Sequence, residues 1–400
     1  MRVKKAIFGG TFDPFHLGHL AILKSALEHG DFAEILIVPV GQPPLKGRRP
    51  LPASFREQII ELSIGDLERV SLSDLELAKP QEISYTVDSL NLLKALEPEV
   101  DWSLIYGSDV LFSIENWHQP EEIAKLAKFY VAHRAGEEIE AALAKAEELR
   151  LNLGANIEFF PLSGIELSST VIREQLAQAK KPNTLAPEAQ KFCQDWALYQ
   201  YDEAWQQISS EAYVNLALLE LFLAENLSQA RLFHSLSVML YGLELCRIHG
   251  LDAERFAVAA ILHDLAKEWP LERQGSWAEK YAAQAQINAF NLHGLAAAAY
   301  ANLELGITDR EIIEAIALHS SAGVECSNLA RLLFLADTLE PHRSYSDHQE
   351  LMELAAKDLD LAYLKTLESK AEYMERKGFF DSAELLNGIK EAWAARLAGK

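Results

Sequence analysis

Cysteine is scarce. The 400-residue chain has three, Cys193, Cys246 and Cys326, with no CxxC pair. This excludes a disulfide scaffold and a thiolate zinc site, and it fits a reducing compartment. Glycine and proline, at 20 and 14 positions, are too few for collagen-like or low-complexity content. Basic residues are outnumbered: 37 Lys and Arg stand against 59 Asp and Glu, for a net charge of −22. Such an acidic surface argues against general nucleic-acid binding or docking on anionic membranes, but a few placed cations can still hold a small phosphorylated substrate. The longest apolar runs, such as Phe256–Leu262, fall far short of a membrane span. The opening MRVKKAIFGG has too brief an apolar stretch for a signal peptide. A cytoplasmic protein without membrane or nucleic-acid partners is expected, its oligomeric state unreadable. No GxxxxGK[ST] phosphate loop occurs.

The chain is 49% hydrophobic and 24% charged, and its length calls for two or three cores. Its character changes near residue 204. Before that point β-rich runs (Lys5–Phe8, Glu34–Val40, Trp102–Tyr106, Phe129–His133, Ile157–Pro161) alternate with helical patterns around Leu20–Leu27, Phe55–Leu62, Val87–Leu96 and Glu138–Leu149. This alternation predicts a doubly wound parallel sheet with ligands at the carboxyl ends of its strands. Afterwards Ala, Leu and Glu dominate at helical spacing, as in Tyr213–Ala224, Leu236–Cys246, Phe256–Asp264 and Ile312–Leu318. The expected class is α/β plus all-α, with domains at 1–204 and 205–400.

The densest chemical signal is AIFGGTFDPFHLGHLAIL, Ala6–Leu23. A strand ends at Gly9-Gly10, the chain turns through Asp13-Pro14, and a helix starts near Leu17. His16 and His19 then share a face of its first turn. Helix N-terminal amides with imidazole donors make a phosphate cradle, and Gly18 lets a ligand approach the backbone. Either half alone would read as an ordinary turn with surface histidines. A second segment, Leu167-Ser168-Ser169-Thr170-Val171-Ile172-Arg173, offers a serine N-cap and an arginine one turn on. Alone it is simply a good helix start.

GGTFDPFHLGH followed by SSTVIR resembles the HxGH nucleotidyltransferase superfamily, whose fold is Rossmann-like. Pro43-Pro44-Leu45-Lys46, Ser84-Tyr85-Thr86-Val87-Asp88 and Gly107-Ser108-Asp109 with Trp117 resemble one branch, the bacterial nicotinate-mononucleotide adenylyltransferases. The similarity runs from Val3 to Tyr199. It implies that His16, His19 and Arg173 contact ATP phosphates and that Asp109 faces the nucleotide. Thr86 would help to read the pyridine carboxyl group, and Trp117 would stack on the ring. Without the resemblance, Trp117 reads as a structural tryptophan. Gly9, Gly10, Thr11, Phe12, Lys46, Gly107, Arg134, Ser168, Ser169 and Thr170 complete the implied substrate-binding set. Magnesium would accompany ATP. Two departures, Leu45 where the family often has His and no proline after Arg134, fall near substrate loops.

In the helical half, His234, His263-Asp264, His293, His319 and Asp337 all lie in apolar contexts. One such histidine would pass for a core residue, but six residues would each need a buried partner. Together they suit a hard nitrogen and oxygen metal cluster with a bridging carboxylate. The pattern resembles the HD metal-dependent phosphohydrolases. The extra histidines and the ADxxEPxR ending, Ala336–Arg343, resemble their symmetrical diadenosine-tetraphosphatase family. By that resemblance His234, His263, Asp264 and Asp337 bind one metal, and His293 and His319 complete a second. The metal would be iron, with manganese or magnesium as substitutes. Asp264 and Lys267 would serve catalysis, and Lys267 and Arg343 could reach phosphates or simply be solvated cations. Ser320-Ser321 stands where that family usually has two threonines.

The resulting expectation is a bifunctional enzyme. One half joins ATP and nicotinate mononucleotide into nicotinate adenine dinucleotide, and the other splits diadenosine tetraphosphate into two ADP. The alternatives are a preference for nicotinamide mononucleotide, hydrolysis of another nucleotide, or a helical half that only binds nucleotides to regulate.

Overall fold

The computed structural model describes residues 2–43, 47–134, 139–163, 167–281 and 290–399, with Arg134 described by its backbone alone. It divides into two compact units, Met1–Gln194 and Asp195–Lys400. The division lies somewhat before the change in composition near residue 204. Helices occupy both sides of it, so composition carries no mark there.

The first unit is built on β1 (Val3–Gly10), β2 (Glu34–Pro39), β3 (Val70–Leu72), β4 (Val100–Gly107), β5 (Lys128–Arg134) and β6 (Ile157–Leu162). The strands form one parallel sheet in the order β3-β2-β1-β4-β5-β6. Helices α1 (Leu17–His29), α2 (Ala53–Ile64), α3 (Thr86–Leu96), α4 (Pro120–Leu126), α5 (Ile139–Leu153) and α6 (Ser169–Ala177) connect and flank the strands, and α7 (Pro187–Asp195) comes after them. Ile35, Ile37, Leu104, Ile105 and Phe129 are fully buried in the sheet, as expected for strands covered on both faces. The doubly wound architecture expected from the alternation is present. The sequence reading had no place for β3, a three-residue edge strand that is half-buried throughout and too short for any period to show.

The sheet order reverses at β1 and β4, whose last paired residues are Ile7 and Leu104. Beyond that point Gly9 and Gly10 pair only toward β2, and Tyr106 and Gly107 only toward β5. The two carboxyl ends therefore splay apart and open a crevice at the topological switch point.

The second unit is helical: α8 (Asp202–Gln206), α9 (Ser210–Ala224), α10 (Gln229–His249), α11 (Ala253–Leu262), α12 (Leu271–Tyr281), α13 (Leu292–Leu303), α14 (Arg310–Leu318), α15 (Asn328–Leu339), α16 (His348–Lys357), α17 (Leu359–Arg376) and α18 (Phe380–Ala398). Ser228, Asp252, Asp309 and Ser327 cap α10, α11, α14 and α15, each side chain accepting a backbone N–H of the first turn. Helices α10 and α11 approach closely at Gly242, where a Cβ would stand 2.0 Å from the Phe256 ring. Among the described residues no helix is long and apolar enough to cross a membrane.

Candidate active sites

The crevice between β1 and β4 is a cleft of about 380 Å³, walled among others by Gly9, Gly10, His16, His19, Asp109 and Ser169. The two histidines hold each other through the backbone. His16 Nδ1 accepts the His19 N–H at 3.3 Å, and His19 Nδ1 accepts the His16 N–H at 3.2 Å. Their rings stack with centroids 3.7 Å apart. A nitrogen that accepts from an amide carries no proton, so each neutral ring bears its proton on Nε2. Burial lowers the His16 pKa to about 4, and burial together with the His16 charge drives His19 well below its usual value. Near pH 7 the pair therefore offers two neutral N–H donors. A Cβ at Gly18 would meet the His16 ring at 3.0 Å and press on it.

The serine and arginine segment closes over the same turn. Ser168 is the N-cap of α6 without a side-chain cap bond, and the Ser169 hydroxyl donates to the Pro14 carbonyl at 3.3 Å. Arg173 donates to the Asp13 carbonyl at 2.7 Å and to Thr170 Oγ1 at 3.0 Å. Gly107 and Phe12 also line the cleft, whereas Thr11, Thr86, Trp117, Ser168, Thr170 and Arg173 are not among its lining residues. Trp117 is half-buried, donates from Nε1 to Ser113 Oγ at 3.3 Å, and meets the Tyr106 ring edge-on at 5.3 Å. Tyr106 lines the cleft. Lys46 and the Arg134 side chain lie outside the described residues.

Sequence reading missed the group that holds these loops together. Arg56 is 1% exposed and donates to the carbonyls of Leu51, Thr11 and Val40, each at 3.0 Å. It ties the turn after β1 to the loop after β2. Nothing local in SFREQ marks an arginine as buried, because its partners are brought in by the sheet.

In the second unit, α10, α13 and α15 and the C-terminal ends of α11 and α14 bring the six candidate ligands together. Asp264 is the centre. Its Oδ1 lies 3.4 Å from both His293 Nε2 and His319 Nε2. Its Oδ2 lies 3.6 Å from His263 Nε2 and 3.8 Å from His234 Nε2. His234 Nε2 is also 3.1 Å from Asp337 Oδ1. Two donor groups thus face the two oxygens of one carboxylate, and two three-residue sets among them are close enough to hold an ion.

The outer hydrogen bonds aim the rings. His263 Nδ1 donates to the Ala260 carbonyl at 2.6 Å, and His319 Nδ1 donates to the Ile316 carbonyl at 2.7 Å. His234 Nδ1 donates to Glu340, which is also held by Ser237 and the His342 N–H. These bonds leave Nε2 lone pairs converging inward. His263 Nε2 and Asp264 Oδ1 are buried without a hydrogen-bond partner, and the Nε2 atoms of His293 and His319 stand 3.0 Å apart. Burial lowers the pKa of His263 to about 4 and, with the His319 charge adding to it, that of His293 to about 2. Burial acts to raise the Asp264 pKa, but the surrounding histidines outweigh it and hold the carboxylate well below its usual range. Imidazoles converging on an ionised carboxylate, two of them, His263 and His293, kept neutral by burial, form a donor set that fits divalent cations.

The adjoining cleft is also about 380 Å³, and Arg231, Lys267, Arg343 and Lys370 line it. Arg231 donates to Asp264 Oδ2 at 2.7 Å, Lys267 Nζ donates to His293 Nε2 at 3.2 Å, and Arg343 reaches Asp337 at 3.4 Å. Arg231 and Glu340 were also missed, although each lies three residues from a candidate ligand on or beside its helix. Lys370 arrives from α17 and leaves no local signal at all.

The splayed sheet with its paired histidines defines a nucleotide-binding fold, and the helical cluster defines a metal-type site. The chain belongs to the cytidylyltransferase-like family, whose sequence profile matches residues 7–211. The profile of the HD domain matches residues 231–342, and an HD domain implies a divalent metal. A "Probable nicotinate-nucleotide adenylyltransferase" of Clostridium botulinum is 35% identical over 188 residues, covering 46% of this chain and 93% of that protein. A protein of the same description from Clostridium acetobutylicum is 35% identical, covering 46% of this chain and 92% of its own. A solved structure from Clostridium acetobutylicum, described as a "predicted HD superfamily hydrolase involved in NAD metabolism", is 26% identical. It covers 45% of this chain and 96% of its own, with a TM-score of 0.40. A Plasmodium falciparum nicotinic acid mononucleotide adenylyltransferase complexed with NaAD is 21% identical, covering 50% of this chain and 98% of its own at a TM-score of 0.42.

Proposed function

We propose that the first unit transfers the adenylyl group of ATP to nicotinate mononucleotide. The observation that carries this is the reciprocal histidine pair at the mouth of the β1–β4 crevice. A phosphate oxygen of the mononucleotide attacks the α-phosphorus of ATP. The bond from that phosphorus to the β-bridging oxygen breaks, and diphosphate leaves with the electron pair. His16 and His19 donate from Nε2 to the phosphate oxygens on which charge develops, and Arg173 and the amides at the start of α6 add positive charge to the same oxygens. Magnesium enters with the triphosphate as part of the substrate. The 35% identity to proteins named for this activity supports the same reading.

The second unit is proposed to hydrolyse diadenosine tetraphosphate symmetrically, giving two ADP. His234, His263, Asp264 and Asp337 would hold one divalent cation, and His293 and His319 with Asp264 a second, iron being the first choice. When bound, such cations supply Lewis acidity and lower the pKa of water at the phosphorus. The chain's own residues do the rest. Glu340, Ala260 and Ile316 fix the imidazoles, and Lys267, Arg231 and Arg343 bring positive charge to the anhydride oxygens. The protein's assignment as a cytoplasmic enzyme of two nucleotide reactions rests on this pair of proposals.

The acceptor is tested by initial rates with ATP and either mononucleotide. The proposal expects kcat/KM for nicotinate mononucleotide to exceed that for the nicotinamide form by about 100-fold or more, the discrimination available when a site reads a charged group through hydrogen bonds. Equal values, or a preference for the amide, would overturn the acceptor assignment.

A further inference from the structure

The cleft beside the histidine cluster does not end there. It shares Asp337, Arg343, Lys370 and Met374 with a neighbouring hollow of about 360 Å³. The second hollow is walled by the segment after Arg343 and by α17. It contributes Tyr345, Tyr373 and Arg376, with hydrogen-bonding groups from Ser344, Ser346 and Asp347. Both hollows fall within the size range of small-molecule sites.

Two of the shared groups, Arg343 and Lys370, are cationic, and Asp337 stands with them, 3.4 Å from Arg343. Lys370 is half-buried, its Nζ 3.5 Å from Thr338 Oγ1 and 4.5 Å above the Phe334 ring. Among the described residues no carboxylate lies within ion-pair distance of it, in a chain with a net charge of −22. A half-buried ammonium with no ion-pair partner, in a cleft whose acid Asp337 is paired with Arg343, is available to a ligand anion. The aromatic groups sit beyond it. The Tyr345 hydroxyl donates to the Thr338 carbonyl at 3.2 Å, and its ring meets His348 edge-on at 4.9 Å, so its plane is fixed. Tyr373 is 48% exposed one turn along α17 from Lys370. An exposed ring lining the same hollow as a fixed one offers a stacking surface to a base.

From this arrangement we infer that the second hollow receives the distal nucleoside of a two-ended nucleotide. Arg343 and Lys370 hold the phosphates that run back to the histidine cluster, and Tyr373 stacks on the distal base. The inference rests on the hydrolase reading above, and it adds a specificity element from α17, outside residues 231–342 where the HD profile matches.

The test compares diadenosine tetraphosphate with adenosine 5′-tetraphosphate, which has one nucleoside, using the full chain loaded with manganese. Tyr373→Ala is expected to raise KM for the two-ended substrate about tenfold, the size of one lost stack. KM for the one-ended substrate should stay within about twofold, as should kcat for both. Lys370→Gln should raise KM for both substrates, and Lys370→Arg should restore much of the loss. An unchanged KM in Tyr373→Ala, or an equal rise for both substrates, overturns the distal subsite while the hydrolase reading stands. A parent chain that cleaves neither compound overturns the hydrolase reading and the subsite with it.

Discussion

His19→Ala is expected to slow dinucleotide formation by about 10³-fold while leaving hydrolysis in the second unit within about twofold. The loss has two sources. The ring supplies one of the two neutral Nε2–H donors, and a missing donor to developing charge costs about 10²–10³ in kcat. Its Nδ1 also accepts the His16 N–H at 3.2 Å, so the partner ring loses part of its fixed position. Because both effects act on the transition state more than on ground-state binding, kcat should fall more than KM rises. His19→Gln, which keeps an acceptor and a donor on a different frame, should recover part of the rate. Loss of hydrolysis in the same variant would contradict the assignment of separate sites.

Asp264→Ala should do the reverse. Its two oxygens face four imidazoles at 3.4 to 3.8 Å, so no other side chain can take its place between the two donor groups. Hydrolysis is expected to fall by at least about 10³-fold, since water activation by metal is the main source of rate in such sites. Metal bound per chain, measured by plasma emission after gel filtration, should fall with it. Adenylyl transfer should be retained, which also reports that the chain remains folded. Asp264→Asn is the control for volume, because it keeps the shape and removes the charge that would balance a bound cation. A variant that keeps its full metal content and its hydrolysis would remove Asp264 from the centre of the cluster.

These two variants probe the parts of the molecule that were most legible in the sequence. His16 and His19 lie within one helical turn, and the strand, glycines and helix start around them are contiguous. Their chemistry can therefore be read without knowing the fold. The six ligand-type residues of the second unit were legible for another reason: a polar residue in an apolar helix must find a buried partner. What stayed hidden depends on contacts between distant segments. Arg56 looks like any helical arginine until the sheet brings the carbonyls of Thr11 and Val40 to it. Lys370 gains its meaning only when α17 packs beside α15. Val70–Leu72 forms a strand because β2 offers an open edge, not because three residues carry a period. The splay of β1 from β4 after Ile7 and Leu104 is likewise a property of register.

The central claim is that two nucleotide reactions share one chain, and its second half is tested most directly by product analysis. The purified chain, loaded with iron or manganese, is incubated with diadenosine tetraphosphate, and early products are separated by ion-exchange chromatography. The account predicts ADP as the sole early product. ATP with AMP, or no cleavage by a chain that holds its metals, would contradict it.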